Sequence, residues 1–330
     1  MVRMSFMAVA LVLLAACFVT APLSATSSPD VPARDDPDSS LIVMSFNIRY
    51  GTARDGDDAW PRRKHMVFDR IRDSKADVVG LQEALKSQID ELLIAMPEYS
   101  TVGVGRDDGK EAGEHSAILY RHGRLALEPA SPGASGKSTP AHGNFWYSDS
   151  PEQPGSKSWG NNITRICTWA RFRDTKANHV FSVFNTHFDH ESQPSREKSA
   201  ALLKQRVAAL HHDQPVIVMG DFNAGEKNAA IAAMLSTDSA AAGKESEPAC
   251  PPLRDSFRVA HPEEREVGTF NGFKGTTTGN KIDYIFVDER WDVLAASIDR
   301  TMPAGRCPSD HFPVIARLGL KPQASSDPAP

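Results

Sequence analysis

The sequence predicts an α/β fold in which mixed β-sheets pack together beneath outer helices. Short apolar runs typical of buried strands alternate with amphipathic stretches along most of the 330 residues. Many neighbouring strand-like runs have no helix between them, which favours packed mixed sheets over a purely parallel, doubly wound sheet. Hydrophobic residues make up 40% of the chain and charged residues 24%, a composition that supports one sizeable core.

The first half of the chain contains four strand-like runs and two helix-like stretches. Trp60 to Lys75 has apolar residues at helical spacing, and the amphipathic stretch from Leu85 to Met96 is stopped by Pro97. Residues 129–160 are dense in Pro, Gly and Ser and predict a long loop. Its aromatic residues either form a lid or anchor the loop to the core. The predicted strands cover residues 41–47, 78–81, 99–104 and 116–120.

The second half continues the same mixture of strands and helices. Residues 193–212 predict a helix, and residues 237–254 predict an Ala/Ser/Pro-rich loop. No internal repeat, Walker loop or dinucleotide-binding glycine pattern occurs in the sequence. The predicted strands cover residues 163–172, 179–186, 215–219, 282–287, 291–298 and 312–318.

The N-terminal residues 1–25 are typical of an export signal. Arg3 precedes an apolar run that is shorter than the about 20 residues a membrane-spanning helix needs. The run ends in a lipobox-like sequence at Cys17, where lipidation is one outcome and ordinary cleavage near Ala25 is the other. Residues 26–40 predict a disordered tether, residues 41–320 the folded domain, and residues 321–330 a flexible tail. We therefore expect an exported protein that is periplasmic, membrane-anchored through an N-terminal lipid, or secreted.

Export to an oxidising compartment would allow Cys250 and Cys307 to pair, although the sequence leaves that pairing open. Cys167 lies in an apolar stretch and predicts a buried free thiol.

The charge balance disfavours long polymeric DNA as the substrate. The net charge is −5, and the only run of basic residues, Arg62-Arg63-Lys64, predicts a solvated helix start. Proteins that bind nucleic-acid backbones usually present a basic face that neutralises phosphates. The sequence therefore carries no strong nucleic-acid-binding signature.

Polar side chains suited to metal and proton chemistry occur at or beside the ends of predicted strands. One such residue alone is usually a turn residue, but a set of them indicates a common cleft. Carboxylate and amide oxygens without clustered Cys or paired His ligands favour Mg²⁺ or Mn²⁺ over Zn²⁺. The set comprises Asn47, Glu83, His187, Asp221, Asn223, Asp283, Asp310 and His311.

Six ordered motifs give the chain a family resemblance. They are M-S-F-N-I-R-Y at 44–50, G-L-Q-E-A at 80–84, F-N-T-H at 184–187, G-D-F-N at 220–223, K-I-D-Y-I at 281–285 and S-D-H-F-P-V at 309–314. In this order the chain resembles the endonuclease/exonuclease/phosphatase family over residues 41–318, and it is most similar to the secreted or cytosolic bacterial branch. The resemblance implies a DNase I-like fold, a four-layer α/β/β/α sandwich of two mixed sheets flanked by helices.

The resemblance also implies a metal site that contains Mg²⁺ or Mn²⁺. Glu83, helped by Asn47, would hold the cation against a phosphate oxygen, with Asp310 joining directly or through water. His311 would lie in the cleft with Asp283 as its orienting carboxylate, which favours the imidazolium form.

Three further residues complete the chemistry that the resemblance implies. Asp221 would position or deprotonate the attacking water, and Asn223 would align it. His187 would hydrogen-bond a non-bridging phosphate oxygen as charge builds in the transition state.

Substrate contacts are predicted from the sequence around these motifs. Asp189 and His190 follow His187 closely enough to reach the same cleft. Strand alternation places Arg165 and Arg171 on one face, where an arginine either grips phosphate or packs beneath a tryptophan. His115 is a weaker candidate at the cleft edge.

The predicted function is an exported, divalent-metal-dependent phosphoesterase that hydrolyses a phosphodiester or phosphomonoester. A small organic phosphate or an oligonucleotide fits the acidic balance best. An extracellular nuclease is the alternative, followed by a lipid phosphoesterase and by a binding module that has lost catalysis. The membrane is a partner only through the N-terminal lipid, and the sequence leaves the oligomeric state open.

Overall fold

The computed structural model describes residue 1 and residues 40–129, 140–211, 214–237 and 249–321. The predicted signal, almost all of the tether and the tail beyond residue 321 lie outside these ranges. The folded residues belong to one compact unit that begins at Pro37. Within the described ranges, no helix has the length and apolar character needed to cross a membrane.

Thirteen strands and five α-helices form the described part of the chain. The helices are α1 (Trp60–Ser74), α2 (Lys86–Ala95), α3 (Gln193–His211), α4 (Ala229–Leu235) and α5 (Ser256–Ala260). The strands are β1 (Leu41–Asn47), β2 (Val78–Gln82), β3 (Tyr99–Val102), β4 (Ile118–Arg121), β5 (Leu125–Leu127), β6 (His142–Trp146), β7 (Ile166–Asp174), β8 (His179–His187), β9 (Val216–Asp221), β10 (Leu253–Asp255), β11 (Asp283–Asp288), β12 (Trp291–Ile298) and β13 (Val314–Leu320).

The strands form two mixed sheets. One sheet has the order β12-β13-β1-β2-β4-β3, and the other has the order β10-β11-β9-β8-β7-β5, with β6 also paired to β7. The β1–β2 and β8–β9 pairs are parallel, and the remaining pairs are antiparallel. The predicted mixed-sheet architecture is therefore confirmed.

Side-chain alternation along the strands separates three apolar layers. On β1, Val43 faces the core between the two sheets, while Met44 packs with α1 and α2 on the outer face. On β9, Ile217 joins the same inner core, while Val218 packs with α3 and α4. Helices therefore cover both outer faces, which gives the four-layer α/β/β/α sandwich.

The predicted loop at residues 129–160 contains a strand instead of being irregular throughout. β6 pairs with β7 along its length, and Gly143 leaves room there for the indole of Trp169. Phe145 and Tyr147 are buried against the α3 layer. These aromatic side chains therefore anchor the segment to the core.

The three cysteines in the described ranges are free thiols. Cys167 is buried, as predicted. Cys307 lies against Met302, whereas Cys250 packs beside the α3 layer, so the pairing that the sequence left open is not formed.

Buried polar groups join the two sheets behind their common edge. Asn185 on β8 donates to the carbonyls of Leu81 and Ala117, and its own oxygen accepts from Gln82 Nε2 at 2.7 Å. A Cβ on Gly80 would lie 2.8 Å from Asn185 Oδ1, so the glycine permits this approach. These bonds fix the sheet edges from which the polar motifs project.

Candidate active site

Strand register places three predicted residues side by side on the seven-stranded sheet. His187 pairs with Asp221 across β8 and β9, and Asp221 pairs with Asp283 across β9 and β11. His187 and Asp221 are the last residues of their strands, Asp283 is the first residue of β11, and all three are buried. Widely separated motifs therefore form one row of reactive side chains.

The six-stranded sheet brings a second group to this row. β1 ends at Asn47, and Glu83 follows β2 in a left-handed backbone conformation, with φ 59°. Asn47 Nδ2 donates to Glu83 Oε1 at 3.1 Å and to Asp221 Oδ2 at 3.0 Å. Its Oδ1 accepts from the Arg49 N–H, so in this arrangement Asn47 bridges two carboxylates from the two sheets as a donor.

A histidine–carboxylate pair lies next to Asp221. His311 Nδ1 is 2.9 Å from Asp283 Oδ2, and His311 Nε2 is 3.8 Å from Asp221 Oδ2. Burial alone would lower the pKa of His311, but the carboxylates of Asp283 and Asp221 raise it well above its usual range. The geometry therefore favours an imidazolium beside the Asp221 carboxyl.

Asp221 itself is held by hydrogen bonds and perturbed by its neighbours. The Asn223 N–H donates to Asp221 Oδ1 at 2.9 Å, because Asn223 adopts a left-handed conformation with φ 47°. Burial and the nearby Asp283 charge raise the pKa of Asp221 to about 7. A carboxyl with such a pKa can gain and lose a proton near neutral pH.

His187 lies on the other side of Asp221, in surroundings that favour the neutral imidazole. Burial lowers the pKa of His187 well below its usual value, with the cations Arg165 and Arg106 adding to the effect. Its Nε2 is 3.0 Å from Asn223 Nδ2, which places the acceptor nitrogen toward that amide. His187 Nδ1 is buried and has no partner within the described residues.

The guanidinium of Arg49 lies near two carboxylates at the mouth of this group. Arg49 lies 4.0 Å from Glu83 Oε2 and 3.8 Å from Asp310 Oδ2. Burial raises the pKa of Asp310. Two hard oxygen donors that already face a positive charge fit a divalent cation of the Mg²⁺ type.

A second group could also hold a metal ion. One ligand atom from each of Asp221, Asp283 and His311 lies within 4.8 Å of the others. However, His311 Nδ1 is already hydrogen-bonded to Asp283, so this nitrogen serves the histidine–carboxylate pair. Glu83 and Asp310 are therefore the better cation ligands.

The loops that carry these residues are fixed by buried arginine and by main-chain pairing. Arg63 is fully buried and donates to the carbonyls of Ile48 and Pro308, which tie the two loops together. The prediction of a solvated Arg62–Lys64 run is therefore wrong at Arg63. Phe270 forms an isolated antiparallel β-bridge with His311, and its ring packs edge-on against the His311 imidazole.

The reactive groups line a cleft of about 460 Å³. Eight predicted residues line it, and three lie behind it as supports. The lining residues are Glu83, Arg165, His187, His190, Asp221, Asn223, Asp310 and His311, and the supports are Asn47, Asp189 and Asp283. His115 is buried outside this lining.

Seven lining residues were not predicted from the sequence; two of them are Ile163 and Ile282, and the other five are polar or aromatic. Arg49 and Tyr50 belong to a motif that was singled out, so their signal was available. Arg106, Glu114 and Phe270 belong to no motif, and only the fold brings them to the cleft. Three arginines, Arg49, Arg106 and Arg165, therefore line the cleft together with the carboxylates of Glu83, Glu114, Asp221 and Asp310.

Arg165 is held in place by the residues predicted beside it. Its Nε lies 3.4 Å from Asp189 Oδ1, and its Nη2 lies 2.7 Å from His190 Nδ1. Asp189 also accepts from the backbone of Glu191 and Ser192, which fixes the turn before α3. Arg165 therefore faces the cleft and does not pack beneath a tryptophan.

The family model described as the Endonuclease/Exonuclease/phosphatase family matches residues 44–311 of this chain, including both ends of the cleft. The chain belongs to the endonuclease/exonuclease/phosphatase family. Members of this family are hydrolases that act on phosphate esters, and the resemblance seen in the sequence motifs is confirmed.

Solved structures of family members match most of the chain. A family protein from Bacteroides vulgatus is 31% identical, with a TM-score of 0.74, over 86% of this chain and 99% of its own. The mannosyl-6-phosphatase of Bacteroides thetaiotaomicron is also 31% identical, with a TM-score of 0.72, over 85% and 100%. The human Nocturnin catalytic domain is 16% identical, with a TM-score of 0.63 over 86% of this chain and 94% of its own, and shows the same fold.

A curated relative covers less of the chain. The uncharacterized protein L388 of Acanthamoeba polyphaga mimivirus is 26% identical over 176 residues, which are 51% of this chain and 60% of the relative.

Proposed function

We propose that this protein is a divalent-metal-dependent phosphoesterase that hydrolyses a small organic phosphate, with a phosphomonoester as the preferred ester. The observation that supports the proposal is that groups suited to cation binding and to proton transfer lie side by side in one cleft. Carboxylates that suit a cation lie beside the Asp221 group, which can handle a proton near neutral pH. We also propose that the chain is exported, on the basis of its N-terminal sequence.

Glu83 and Asp310 would hold the cation, which we take to be Mg²⁺ or Mn²⁺. When bound, such a cation polarises the phosphoryl group and neutralises its charge. Asn47 donates to Glu83 and so fixes the direction of that carboxylate. Arg49, now between the two carboxylates, would remain close enough to meet an anionic substrate.

Asp221 is the proposed base for the attacking water. Its carboxylate is oriented by Asn223 and Asn47, so it can accept a proton without first changing its position. As the water proton passes to Asp221, the water oxygen bonds to phosphorus and the bond from phosphorus to the alcohol oxygen breaks. The leaving oxygen takes up a proton from solvent, so the products are the free alcohol and phosphate. Because Asp221 must be ionised to act, we expect its ionised fraction, and with it the rate, to rise as the pH rises through about 7.

Two histidines would act on the developing charge. The His311 imidazolium, oriented by Asp283, places a positive charge beside Asp221 and the reacting phosphate. His187 would donate to a non-bridging oxygen from Nε2, which requires it to release the Asn223 amide and to take up the tautomer protonated at Nε2. Arg165 supplies a further donor from the wall of the cleft.

A monoester of a small alcohol suits the cleft better than a polymer. The volume of about 460 Å³ lies at the lower end of the range for small-molecule sites. The mannosyl-6-phosphatase among the relatives, 31% identical along nearly its whole length, supports a monoester. A nuclease is the second candidate, because the three arginines of the lining would also contact a polynucleotide backbone.

The test is a panel of substrates with the full-length protein. The panel contains p-nitrophenyl phosphate, bis-p-nitrophenyl phosphate, single-stranded RNA, single-stranded DNA and plasmid, each with Mg²⁺, Mn²⁺ or EDTA. We expect metal-dependent release that is fastest from the monoester and is lost with EDTA. Faster cleavage of the nucleic acids would favour the nuclease, and no release from any substrate would contradict the proposal.

A further inference from the structure

A compact hairpin at residues 105–115 forms one wall of the cleft. The Arg106 N–H donates to the Glu114 carbonyl at 3.0 Å, and the Asp107 N–H donates to the Ala112 carbonyl at 3.1 Å. At the base of the hairpin, the His115 N–H donates to the carbonyl of Ala84, which follows Glu83. The hairpin is thus attached directly to the segment that carries a proposed cation ligand.

The hairpin presents an ion pair to the cleft. Arg106 and Glu114 form two parallel hydrogen bonds, with Nη1 to Oε2 at 2.6 Å and Nη2 to Oε1 at 2.8 Å. Their side chains are only 12% and 17% exposed, yet both line the cleft. Arg106 Nε is buried and has no hydrogen-bond partner among the described residues.

Fixing the hairpin does not require this pair. Main-chain hydrogen bonds close the hairpin along its length, and Asp108 caps its tip by accepting from the Lys110 and Ala112 N–H groups. The Trp146 indole also donates to the Arg106 carbonyl. Removing two charges from water is costly, so a hairpin already held in this way gains little stability from the pair.

The pair faces the cleft from beside the predicted phosphate-binding side chains. Burial raises the pKa of Glu114, and the charges of Arg165 and Glu83 also influence it. The Arg106 charge contributes to lowering the pKa of His187. Each Glu114 oxygen accepts one bond from Arg106 and retains a further lone pair. Donor and acceptor groups therefore lie next to each other on the cleft wall, within the same lining as the proposed phosphate-binding side chains.

We propose that Arg106 and Glu114 recognise a pair of neighbouring hydroxyl groups on the alcohol portion of the substrate, so that the enzyme prefers polyol phosphates. One hydroxyl donates to the Glu114 carboxylate, and its neighbour accepts from the Arg106 guanidinium. This inference rests on the proposed phosphoesterase function and adds the class of alcohol. A site built to bond hydroxyls rejects an analogue without them, because the buried polar groups then lose their partners.

The experiment compares matched esters with and without hydroxyls. Mannose 6-phosphate is paired with cyclohexylmethyl phosphate, which keeps the ring and the phosphate but has no hydroxyl. Adenosine monophosphate is paired with its dideoxy analogue, so that a sugar and a nucleotide source of the diol are distinguished. Phosphate release gives kcat/KM for each ester with the wild type, Glu114→Gln, Arg106→Lys and the control Glu111→Gln.

We expect the wild type to prefer the hydroxylated member of at least one pair. Glu114→Gln should lower kcat/KM for that ester by about 10- to 100-fold, the loss typical of a hydrogen bond to a charged group. Arg106→Lys should act in the same direction, since lysine cannot keep the two-bond geometry. Glu111 lies on the same hairpin with its side chain 73% exposed, and its variant should match the wild type.

The failures of the two proposals differ. Release from both members of each pair without preference, or equal losses on both members in Glu114→Gln, would overturn the hydroxyl recognition and leave the phosphoesterase intact. No release from any ester by the wild type would contradict the phosphoesterase and this inference together.

Discussion

Three non-glycine residues of the cleft have a left-handed backbone, at a cost of about 1–3 kcal/mol each. They are Arg49 with φ 56°, Glu83 with φ 59° and Asn223 with φ 47°. The surrounding structure holds each in place; the Tyr50 N–H, for example, donates to Glu83 Oε2 at 3.2 Å. In each case the unusual conformation follows a strand end and helps to aim a polar side chain into the cleft.

At this scale, Glu83→Ala tests the proposed cation ligand. Loss of a group that only supports a metal ligand weakens metal affinity by about tenfold. Removal of a direct ligand should therefore weaken the apparent affinity for Mg²⁺ by at least that factor. Activity should recover in part when Mg²⁺ or Mn²⁺ is raised. The measurement is turnover against metal concentration, with Glu289→Ala, an exposed turn residue, as the control. A variant that loses activity with an unchanged metal dependence would assign Glu83 another role.

The His311–Asp283 pair predicts a specific response to pH. The folded-state pKa of His311 is raised, so its imidazolium should persist above pH 7 in metal-free protein. Because this pKa exceeds the unfolded value of about 6.5, the stabilisation is fully present below that pH. It is lost as the pH rises through the folded-state pKa.

Nitrogen NMR of the imidazole reports the protonation state of His311 directly. Asp283→Asn removes the charge that contributes most to raising the pKa, so its His311 should lose the proton at a lower pH than the wild type. A neutral imidazole at pH 7 in the wild type would contradict the assignment.

At the scale of the element, β9 depends on a glycine next to its reactive residue. Gly220 has φ 149°, and a Cβ there would lie 2.1 Å from the Thr186 carbonyl oxygen on β8. This close approach keeps Asp221 in register with His187. The glycine therefore belongs to the geometry of the site.

Gly220→Ala should destabilise the fold by about 1–3 kcal/mol or more, because backbone must move to admit the methyl group. The measurement is the free energy of unfolding in urea. Gly123→Ala is the matched control, since nothing lies within 4 Å of a Cβ at that turn. Equal free energies of unfolding for the two variants would show that β8 and β9 can move apart without loss of stability.

The elements that the sequence predicted well are those with a strong apolar period. The predicted strand at 41–47 and helix at 60–75 match β1 and α1 almost residue for residue, since their apolar residues pack against a full layer. β6 was missed because its pairing with β7 comes from main-chain bonds in a Gly-containing segment. Such pairing leaves little pattern in a single sequence.

At the scale of the whole molecule, the cleft arises where two sheets end together. Asn47 and Asp221 belong to different sheets, and their side chains meet at 3.0 Å. The motifs could be predicted from the sequence because each lies at or beside one end of a strand. Arg106 and Glu114 could not, because their place depends on how the hairpin leaves the sheet.

Charge was also misleading when counted along the chain. The net charge is −5, yet Arg49, Arg106 and Arg165 gather around a single cleft. The net charge therefore could not reveal that guanidinium groups line the site, where they lie among the carboxylates of Glu83, Glu114, Asp221 and Asp310.

The measurement that tests the account most directly is turnover of p-nitrophenyl phosphate by the wild type and Asp221→Asn, with Mg²⁺ and with EDTA. We predict turnover that EDTA abolishes in the wild type and that falls by about 10²- to 10⁴-fold in Asp221→Asn, as for loss of a general base. The variant should keep the wild-type melting temperature. Near-normal turnover in Asp221→Asn, or turnover that EDTA leaves unchanged, would contradict the account.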